Sequence, residues 1–182
     1  MKPTKSNILK LAFFALGVLI LNSCMGDDKS NWELYKDWRE FNDNWLIEQT
    51  VRTNPDGTAY YQRCVMPTDP QAYVLMHNIG EVHTDSLKPL YTSATKVNYT
   101  LRLANDSIVD QGTNFRSQLN STSLIAGWGI SIMQLHVGDS ARFVVPYAIG
   151  YGATGAGENI PPYSNLVFDI KLLDITAYEI RP

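Results

Sequence analysis

The residues of this sequence that could form a binding site are mainly aromatic, and they fall in three ordered groups. The first is Tyr99, with Asp110 eleven residues beyond it. The second is Ile125-Ala-Gly-Trp128, followed ten residues later by Gly138-Asp139. The third comprises Tyr151-Gly-Ala-Thr-Gly, Ile160-Pro-Pro and Asn165-Leu-Val-Phe-Asp. Rings and aliphatic side chains of this kind would line a dry, apolar pocket that binds a ligand without attacking it.

Other chemistries lack the residues that they need. The histidines are His77, His83 and His136, and the first two lie six residues apart across a predicted strand end, so they share no face. The glycine-rich stretch 151–157 lacks the Lys-Ser/Thr of a phosphate-binding loop. We find no recognisable nucleophile–base pattern and no metal-ligand spacing. The sequence therefore predicts no metal ion and no cofactor.

Composition and charge narrow the class of protein. The chain has 182 residues, of which 45% are hydrophobic and 18% charged, enough for one domain and an extension. Its formal net charge of −3 argues against a nucleic-acid partner, because nucleic acid binds to a basic surface.

The elements that must position the aromatic groups are strands around one short helix. Apolar and polar residues alternate with period two in Val97–Leu103 and in Leu166–Ile175. Further apolar runs predict strands at Thr58–Val65, Tyr73–Ile79 and Ala141–Val145, and a helix at Leu124–Leu135. Strands joined by turns, with one helix packed on them, are typical of the α+β class.

A separate amphipathic helix is predicted at Trp32–Gln49. Its apolar stripe has spacings of three and four and consists of Trp32, Tyr35, Trp38, Phe41, Trp45 and Leu46. A stripe this aromatic must be buried, and we favour the surface of the protein's own domain. A homodimer partner bound through residues 32–49, or a client groove, is the alternative.

The first residues indicate export. Lys2, Lys5 and Lys10 precede the apolar run 11–21, whose helix would rise only about 16 Å, too short to cross a membrane. Leu21-Asn-Ser-Cys24 resembles a bacterial lipobox, which implies cleavage after residue 23 and a lipid on Cys24. The acidic residues after it resemble an export tag of Bacteroidetes-like lipoproteins. We expect an outer-membrane lipoprotein of a Gram-negative bacterium, on the periplasmic face or the cell surface.

The second cysteine has no partner for a disulfide. Only Cys24 and Cys64 are present, and a thioether at Cys24 would exclude pairing. We interpret Cys64, beside Val65 and Met66, as a small buried hydrophobic residue.

The three groups together resemble FKBP-type peptidyl-prolyl cis/trans isomerases over Tyr99–Leu173, with a weaker match from Ala72. The resemblance implies an antiparallel sheet that half-wraps a short helix, with a pocket between them and Trp128 as its floor. It divides the chain into a signal peptide (1–23), a lipidated tether with the helical extension (24–71) and the isomerase domain (72–182). The implied pocket wall is Tyr99, Asp110, Phe115, Leu124, Ile125, Tyr151, Ile160 and Phe168.

Two departures from the family pattern affect this pocket. Val109 stands where the family usually has an aromatic residue before the aspartate, so the wall should hold a prolyl ring more loosely. The stretch 111–114 is shorter than the usual connection, which alters that part of the rim. We expect the glycine-rich loop 155–159 to be mobile.

The resemblance implies rotation of an X-Pro amide, a reaction that breaks no bond and faces a barrier of about 18–20 kcal/mol. An apolar pocket binds the twisted amide, which has lost its charge-separated resonance, better than the planar one. Trp128, Phe115 and Phe168 would hold the ring, and Tyr151 and the Ile160 N–H would bind substrate carbonyls. Asp110 would orient Tyr99 or interact with the twisted carbonyl.

Three functions are open at this point. The first is an isomerase that acts on proline-containing polypeptides and assists the folding of exported proteins. The second is a module that binds proline segments without useful turnover, which Val109 and the short rim favour. The third is an assembly protein that docks a partner through residues 32–49. We favour the isomerase because the pocket aromatics supply the differential binding.

Overall fold

The computed structural model describes residues 30–66 and 68–179. Two helices come first, α1 (Asn31–Leu34) and α2 (Lys36–Val51), and a third, α3 (Ala126–Ile132), lies between strands. The strands are β1 (Gln62–Met66), β2 (Asp69–Asn78), β3 (Ala94–Leu103), β4 (Ile108–Gln118), β5 (Ser140–Val145) and β6 (Leu166–Ala177). A short 3₁₀ helix, Tyr147–Ile149, follows β5.

All six strands form one antiparallel sheet in the order β1-β2-β5-β6-β3-β4. The period-two pattern explains the central strands, because β3 and β6 each bury the apolar side chains that alternate along them. The antiparallel sheet with a short helix confirms the predicted α+β class.

The main core lies between α3 and one face of the sheet. Every residue of α3 after Ala126 is buried. The largest fully buried side chains of this core are Leu101, Ile130, Ile132, Leu135, Phe143, Leu166, Ile170 and Leu172. Burial on this scale, at about 25 cal/mol per Å² of apolar surface, is the main stabilising contribution.

The amphipathic helix lies against the rest of the protein. Trp45 and Leu46 of α2 pack against a cluster of Tyr61, Leu75 and Val144, the last two of which are paired neighbours on β2 and β5. The described residues from Asn31 onward form one compact unit. The structure therefore places part of the aromatic stripe on the domain's own surface, although Trp32 and Phe41 stay 54% and 41% exposed.

The structure differs from the sequence predictions in three places. The predicted continuous helix is interrupted at Tyr35, and the strand β4 was not predicted. The boundary between 71 and 72 falls inside β2, whose partner β1 precedes it in the same sheet. The predicted signal peptide and Cys24 lie outside the described residues. No helix of the described residues is long and apolar enough to cross a membrane.

Candidate active site

A cavity of about 250 Å³ opens between α3 and strands β3, β4 and β6. It contains eight of the ten residues predicted for the pocket, namely Tyr99, Asp110, Phe115, Leu124, Ile125, Trp128, Tyr151 and Phe168. Leu101 and Ser123 also line it and were not predicted. Residues that lie far apart in the sequence therefore meet around one cavity, and their roles in binding remain predictions.

The cavity wall is a cluster of four rings, the pocket cluster, formed by Tyr99, Phe115, Trp128 and Phe168. Trp128 contacts the other three with ring centroids 5.2–5.7 Å apart and planes inclined by 71–85°. Edge-to-face contacts of this kind are favourable between aromatic rings and hold the four rings in fixed positions around the cavity. The Trp128 Nε1–H donates to the Ser117 hydroxyl at 3.1 Å, which fixes the indole.

Glycines allow two of these rings to take their places. Tyr99 of β3 is paired with Gly112 of β4, where a Cβ atom would lie 2.4 Å from the Tyr99 Cε1. Gly127, next to Trp128, brings α3 so close to β5 that a Cβ would lie 2.2 Å from the Val145 Cγ1. The sequence reasoning missed both glycines as site residues, because only the strand register and the packing of α3 reveal them.

The Tyr99 hydroxyl donates a hydrogen bond of 2.7 Å to Asp110 Oδ2. Burial, this hydrogen bond and the negative charge of Asp110 all raise the pKa of Tyr99. The other carboxylate oxygen, Oδ1, accepts the Gln111 N–H at 2.8 Å. A carboxylate only accepts hydrogen bonds, so this geometry fits an Asp110 that orients Tyr99.

Tyr151 lies at the cavity rim, 37% exposed, in the connection between β5 and β6. Burial raises the pKa of its hydroxyl, and the negative charge of Asp110 raises it further. The hydroxyl is therefore protonated at neutral pH and can donate a hydrogen bond. It makes no hydrogen bond with the other described residues.

The two other predicted pocket residues lie behind the wall. Val109 is half-buried and packs against the core without lining the cavity. Ile160 is 8% exposed, and its N–H donates to the Ala156 carbonyl at 3.2 Å while the Ala156 N–H donates back at 2.9 Å. The Ile160 N–H would have to leave this partner before it could bind a substrate carbonyl.

The short stretch 111–114 forms part of β4. The β3–β4 pairing shifts register between Val97 and Tyr99, and Asn114 takes a positive φ of 55°. The Asn114 N–H donates to the Asn98 side chain at 2.8 Å, which closes the irregular pairing. This part of the rim is therefore a bulged strand.

The remaining reactive side chains lie away from the cavity. Cys64 is buried, and burial raises the pKa of its thiol. His83 and His136 both lie beside the carboxylate of Asp139, whereas His77 stacks on Tyr60. Among residues 30–66 and 68–179, no group of three or more His, Cys, Asp or Glu side chains could hold a metal ion.

A family model and individual relatives both show which known proteins this chain is similar to. A family model for FKBP-type peptidyl-prolyl cis-trans isomerases matches residues 88–173. A Trypanosoma cruzi protein named macrophage infectivity potentiator is 30% identical over 91% of this chain and 83% of its own length. FK506-binding protein 2 of Dictyostelium discoideum is 38% identical over 84 residues, which span 44% of this chain and 63% of that relative.

A solved structure extends the similarity to the fold. The crystal structure of a peptidyl-prolyl cis-trans isomerase from Pseudomonas syringae superposes with a TM-score of 0.64 and 25% identity. The match covers 78% of this chain and 95% of that one. The cavity, its ring cluster and these relatives agree that this chain belongs to the family of FKBP-type peptidyl-prolyl cis-trans isomerases.

Proposed function

We propose that the protein accelerates cis/trans isomerisation of X-Pro bonds in exported polypeptides, and thereby assists their folding. The observation that carries the proposal is the pocket cluster, which surrounds a cavity of about 250 Å³ with Tyr151 at its rim. A prolyl ring is a small, mostly apolar group that fits such an aromatic site. Unaided, the bond takes tens of seconds or more to rotate, which is slow enough to limit folding.

The apolar wall would act by differential binding. The planar amide carries partial charges on oxygen and nitrogen, whereas the twisted amide has lost the resonance that creates them. Transfer from water to the ring-lined cavity therefore penalises the planar form more than the twisted form. Trp128, Phe115 and Phe168 would hold the prolyl ring while the amide turns.

The polar groups would fix the substrate chain. Tyr151 would donate its hydroxyl, which bonds to no other described residue, to a substrate carbonyl. Asp110 would hold Tyr99 through their 2.7 Å hydrogen bond. Because the substrate chain would be held on both sides of the rotating bond, the binding energy would also orient the amide. The reaction makes and breaks no covalent bond, so no nucleophile is needed.

A refolding experiment tests this proposal. The substrate is an unfolded protein whose slow phase is limited by prolyl isomerisation, refolded with and without catalytic amounts of this protein. We expect a faster slow phase with wild type and a much smaller effect with Trp128→Leu. An unchanged slow phase in the presence of folded wild type would refute the proposal.

A second candidate is a proline-binding module without useful turnover. The engagement of the Ile160 N–H with Ala156 favours it, because one predicted carbonyl donor is occupied. Val109, in place of an aromatic residue, favours it as well. A binder would form a complex with the unfolded chain, seen as a change in its diffusion, and would leave the slow phase unchanged or slower.

Export and lipid anchoring are a further part of the proposal. The Leu21-Asn-Ser-Cys24 sequence supports a lipid on Cys24, which would hold the domain at the outer membrane on its periplasmic or outer side. In a Gram-negative host, the wild type should fractionate with membranes and carry acyl mass on its N-terminal peptide. Cys24→Ser should move to the soluble fraction, and wild type without acyl mass would refute the anchor.

Self-association through residues 32–49 is the least supported part. Trp45 and Leu46 already pack on the domain, which leaves Leu34, Phe41 and Ile47 as the exposed apolar side chains of this segment, together with Trp32. Sedimentation over a range of concentrations should show a dimer that Phe41→Ser weakens. A monomer at every concentration would exclude this interface.

A further inference from the structure

Two buried asparagines join α2 to the loop that carries Tyr151. We name this loop, residues 146–165 between β5 and β6, the rim loop. Asn42 of α2 and Asn165 at the end of the rim loop are both 0% exposed. The Asn165 N–H donates to Asn42 Oδ1 at 2.8 Å, and Asn165 Nδ2–H donates to the Asn42 carbonyl at 2.6 Å. A buried polar pair is retained only where its hydrogen bonds are made, and here they are.

The same pair also holds the beginning of the rim loop. The Tyr147 N–H donates to Asn165 Oδ1 at 3.0 Å. The Tyr147 carbonyl in turn accepts the Gly152 N–H at 2.9 Å, one residue after Tyr151. The Gly152 carbonyl accepts the Tyr163 N–H at 2.8 Å. An unbroken series of hydrogen bonds therefore runs from α2 through Asn165 to the backbone beside the rim tyrosine.

Two further side chains of the extension bond to the rim loop. The Trp38 Nε1–H donates to the Ser164 hydroxyl at 3.0 Å, and that hydroxyl donates to the Pro161 carbonyl at 2.7 Å. Asn31 of α1 donates its Nδ2–H to the Ala153 carbonyl at 3.0 Å, two residues from Tyr151. Both bonds span more than 120 residues of sequence, so they fix tertiary and not local structure.

Aromatic packing adds to these bonds at Tyr163, which has a positive φ of 62°. This conformation is uncommon for a residue other than glycine and persists where the surroundings impose it. The Tyr163 ring lies edge-on to Trp32 at 5.8 Å and to Tyr147 at 5.6 Å. Arg39 of α2 lies 3.4 Å above the Trp32 ring and completes the group. The extension thus packs against the rim loop at a residue with an uncommon backbone conformation.

We propose that Asn42 and Asn165 are positioning residues for the isomerase reaction, through which α2 fixes the rim loop and places Tyr151 at the pocket. The inference rests on the isomerase function proposed above. It gives the side chains of the extension that bond to the rim loop a positioning role, since without them the rim loop would lose its buried anchor. Neither asparagine lines the cavity, so they act through the loop.

The test compares two alanine substitutions within α2, in the full chain purified in detergent. Asn42→Ala removes the acceptor of the Asn165 N–H. Gln49→Ala is the matched control, because Gln49 is also buried and, among the described residues, its side chain bonds only to Trp45 and Arg52. The measurements are kcat/KM on short X-Pro peptides, urea unfolding, and amide hydrogen exchange at Gly152 and Tyr163.

We expect Asn42→Ala to lower kcat/KM about tenfold, since small misplacements of a catalytic group are costly. Exchange at Gly152 and Tyr163 should rise more than the global stability of the variant accounts for. Gln49→Ala should lose stability and keep wild-type kcat/KM. The proposal is overturned if folded Asn42→Ala is as active as wild type, or if both variants lose activity in proportion to stability.

The exchange readout separates this inference from the isomerase function. If wild type were inactive, that function would fail, while faster exchange in Asn42→Ala alone would still support the bracing of the rim loop.

If Asn42→Ala does not fold, Trp38→Phe removes one bond to the rim loop and keeps an aromatic ring. We expect about a threefold loss of kcat/KM, the same loss for Ser164→Ala, and no further loss in the double variant. Unchanged kcat/KM in both single variants overturns the proposal.

Discussion

The pocket cluster and a second aromatic group, the outer cluster formed by Tyr60, Tyr61 and His77, both contain edge-on ring pairs, but the outer cluster also contains a stacked pair. In the pocket cluster the rings meet Trp128 edge-on, at 71–85°, around a cavity. In the outer cluster, Tyr60 and His77 stack face to face at 3.9 Å and 8°. Arg52 covers the Tyr60 ring at 4.0 Å, and His77 Nδ1 lies 2.8 Å from the Tyr60 carbonyl.

The difference shows why aromatic content alone does not identify a site. Stacked rings use their faces on each other and leave no room for a ligand between them. Edge-on pairs occur in both clusters, but the pocket cluster surrounds a cavity and has at its rim the Tyr151 hydroxyl, which bonds to no other described residue. We therefore expect substitutions in the pocket cluster to reduce activity, and those in the outer cluster to reduce stability.

The largest effect should come from the pocket floor. Trp128→Leu keeps an apolar side chain and removes the ring that contacts the other three. We expect kcat/KM on X-Pro peptides to fall about 100-fold through loss of prolyl-ring binding and orientation. The free energy of unfolding should fall by about 2–3 kcal/mol, because Trp128 is only 4% exposed. A folded variant with wild-type kcat/KM would show that the cavity is not the site.

A smaller loss should follow from moving one ring without removing it. Gly112→Ala places a Cβ where the Tyr99 ring now lies, so the ring and its hydrogen bond to Asp110 must shift. We expect kcat/KM to fall about tenfold, with a stability change of about 1 kcal/mol. Gly57→Ala, at an open turn with a positive φ of 84°, should strain the backbone and reduce stability without changing activity, so it controls for a loss of stability alone. Equal activity in Gly112→Ala and wild type would show that Tyr99 need not be held in place.

The outer cluster provides the opposite test. Tyr60→Leu removes the stack on His77 and the contact with Arg52. We expect a loss of about 1 kcal/mol in urea unfolding, the size of one aromatic pair, and kcat/KM within twofold of wild type. An activity loss as large as that of Gly112→Ala would remove the functional distinction between the two clusters.

The smallest effect should be on pH dependence, which should differ between stability and activity. Burial raises the pKa of Asp169, but hydrogen bonds and charge from Arg142 and Arg102 outweigh this and hold it below its ordinary value. A carboxylate with a lowered folded-state pKa stabilises the protein above its unfolded pKa of about 4, and that stability is lost as pH falls through the folded value. The urea midpoint should therefore fall below about pH 4, and less so in Asp169→Asn.

Activity should not follow the same curve. The pKa values of Tyr99 and Tyr151 are raised, so both hydroxyls stay protonated as pH rises past neutral. We expect kcat/KM of the folded enzyme to be flat between about pH 6 and pH 9, since unperturbed tyrosines titrate near 10. A fall in kcat/KM within this window, with the protein still folded, would contradict the assigned donors.

The sequence predicts the parts of this molecule that have a clear period. Alternation in Val97–Leu103 and Leu166–Ile175 predicts β3 and β6 because each strand has apolar neighbours that repeat at every second residue. β4 was not predicted because it lacks such a pattern. It is an edge strand, largely exposed and polar around Gln111. Its pairing comes from β3 and not from its own composition.

The sequence predicted which aromatic residues line the site, but not the contacts that hold their rings in place. The motifs bring in Trp128, Tyr151 and Phe168, but the sequence does not show that Gly112 makes room for Tyr99 or that Ser117 fixes the indole. These contacts depend on strand register, which a single sequence determines poorly. Ile160 was also predicted to line the pocket, whereas it lies buried in the connection between β5 and β6, outside the cavity lining, with its N–H bonded to Ala156.

The central claim is that the pocket cluster and Tyr151 accelerate rotation of the X-Pro bond. The most direct measurement is NMR exchange between the cis and trans forms of a short X-Pro peptide, with catalytic amounts of soluble protein from residue 25 onward. We predict rapid exchange with wild type and about a tenfold lower rate with Tyr151→Phe, which lacks only the hydroxyl. No acceleration by folded wild type, or an equal rate with Tyr151→Phe, would contradict the account.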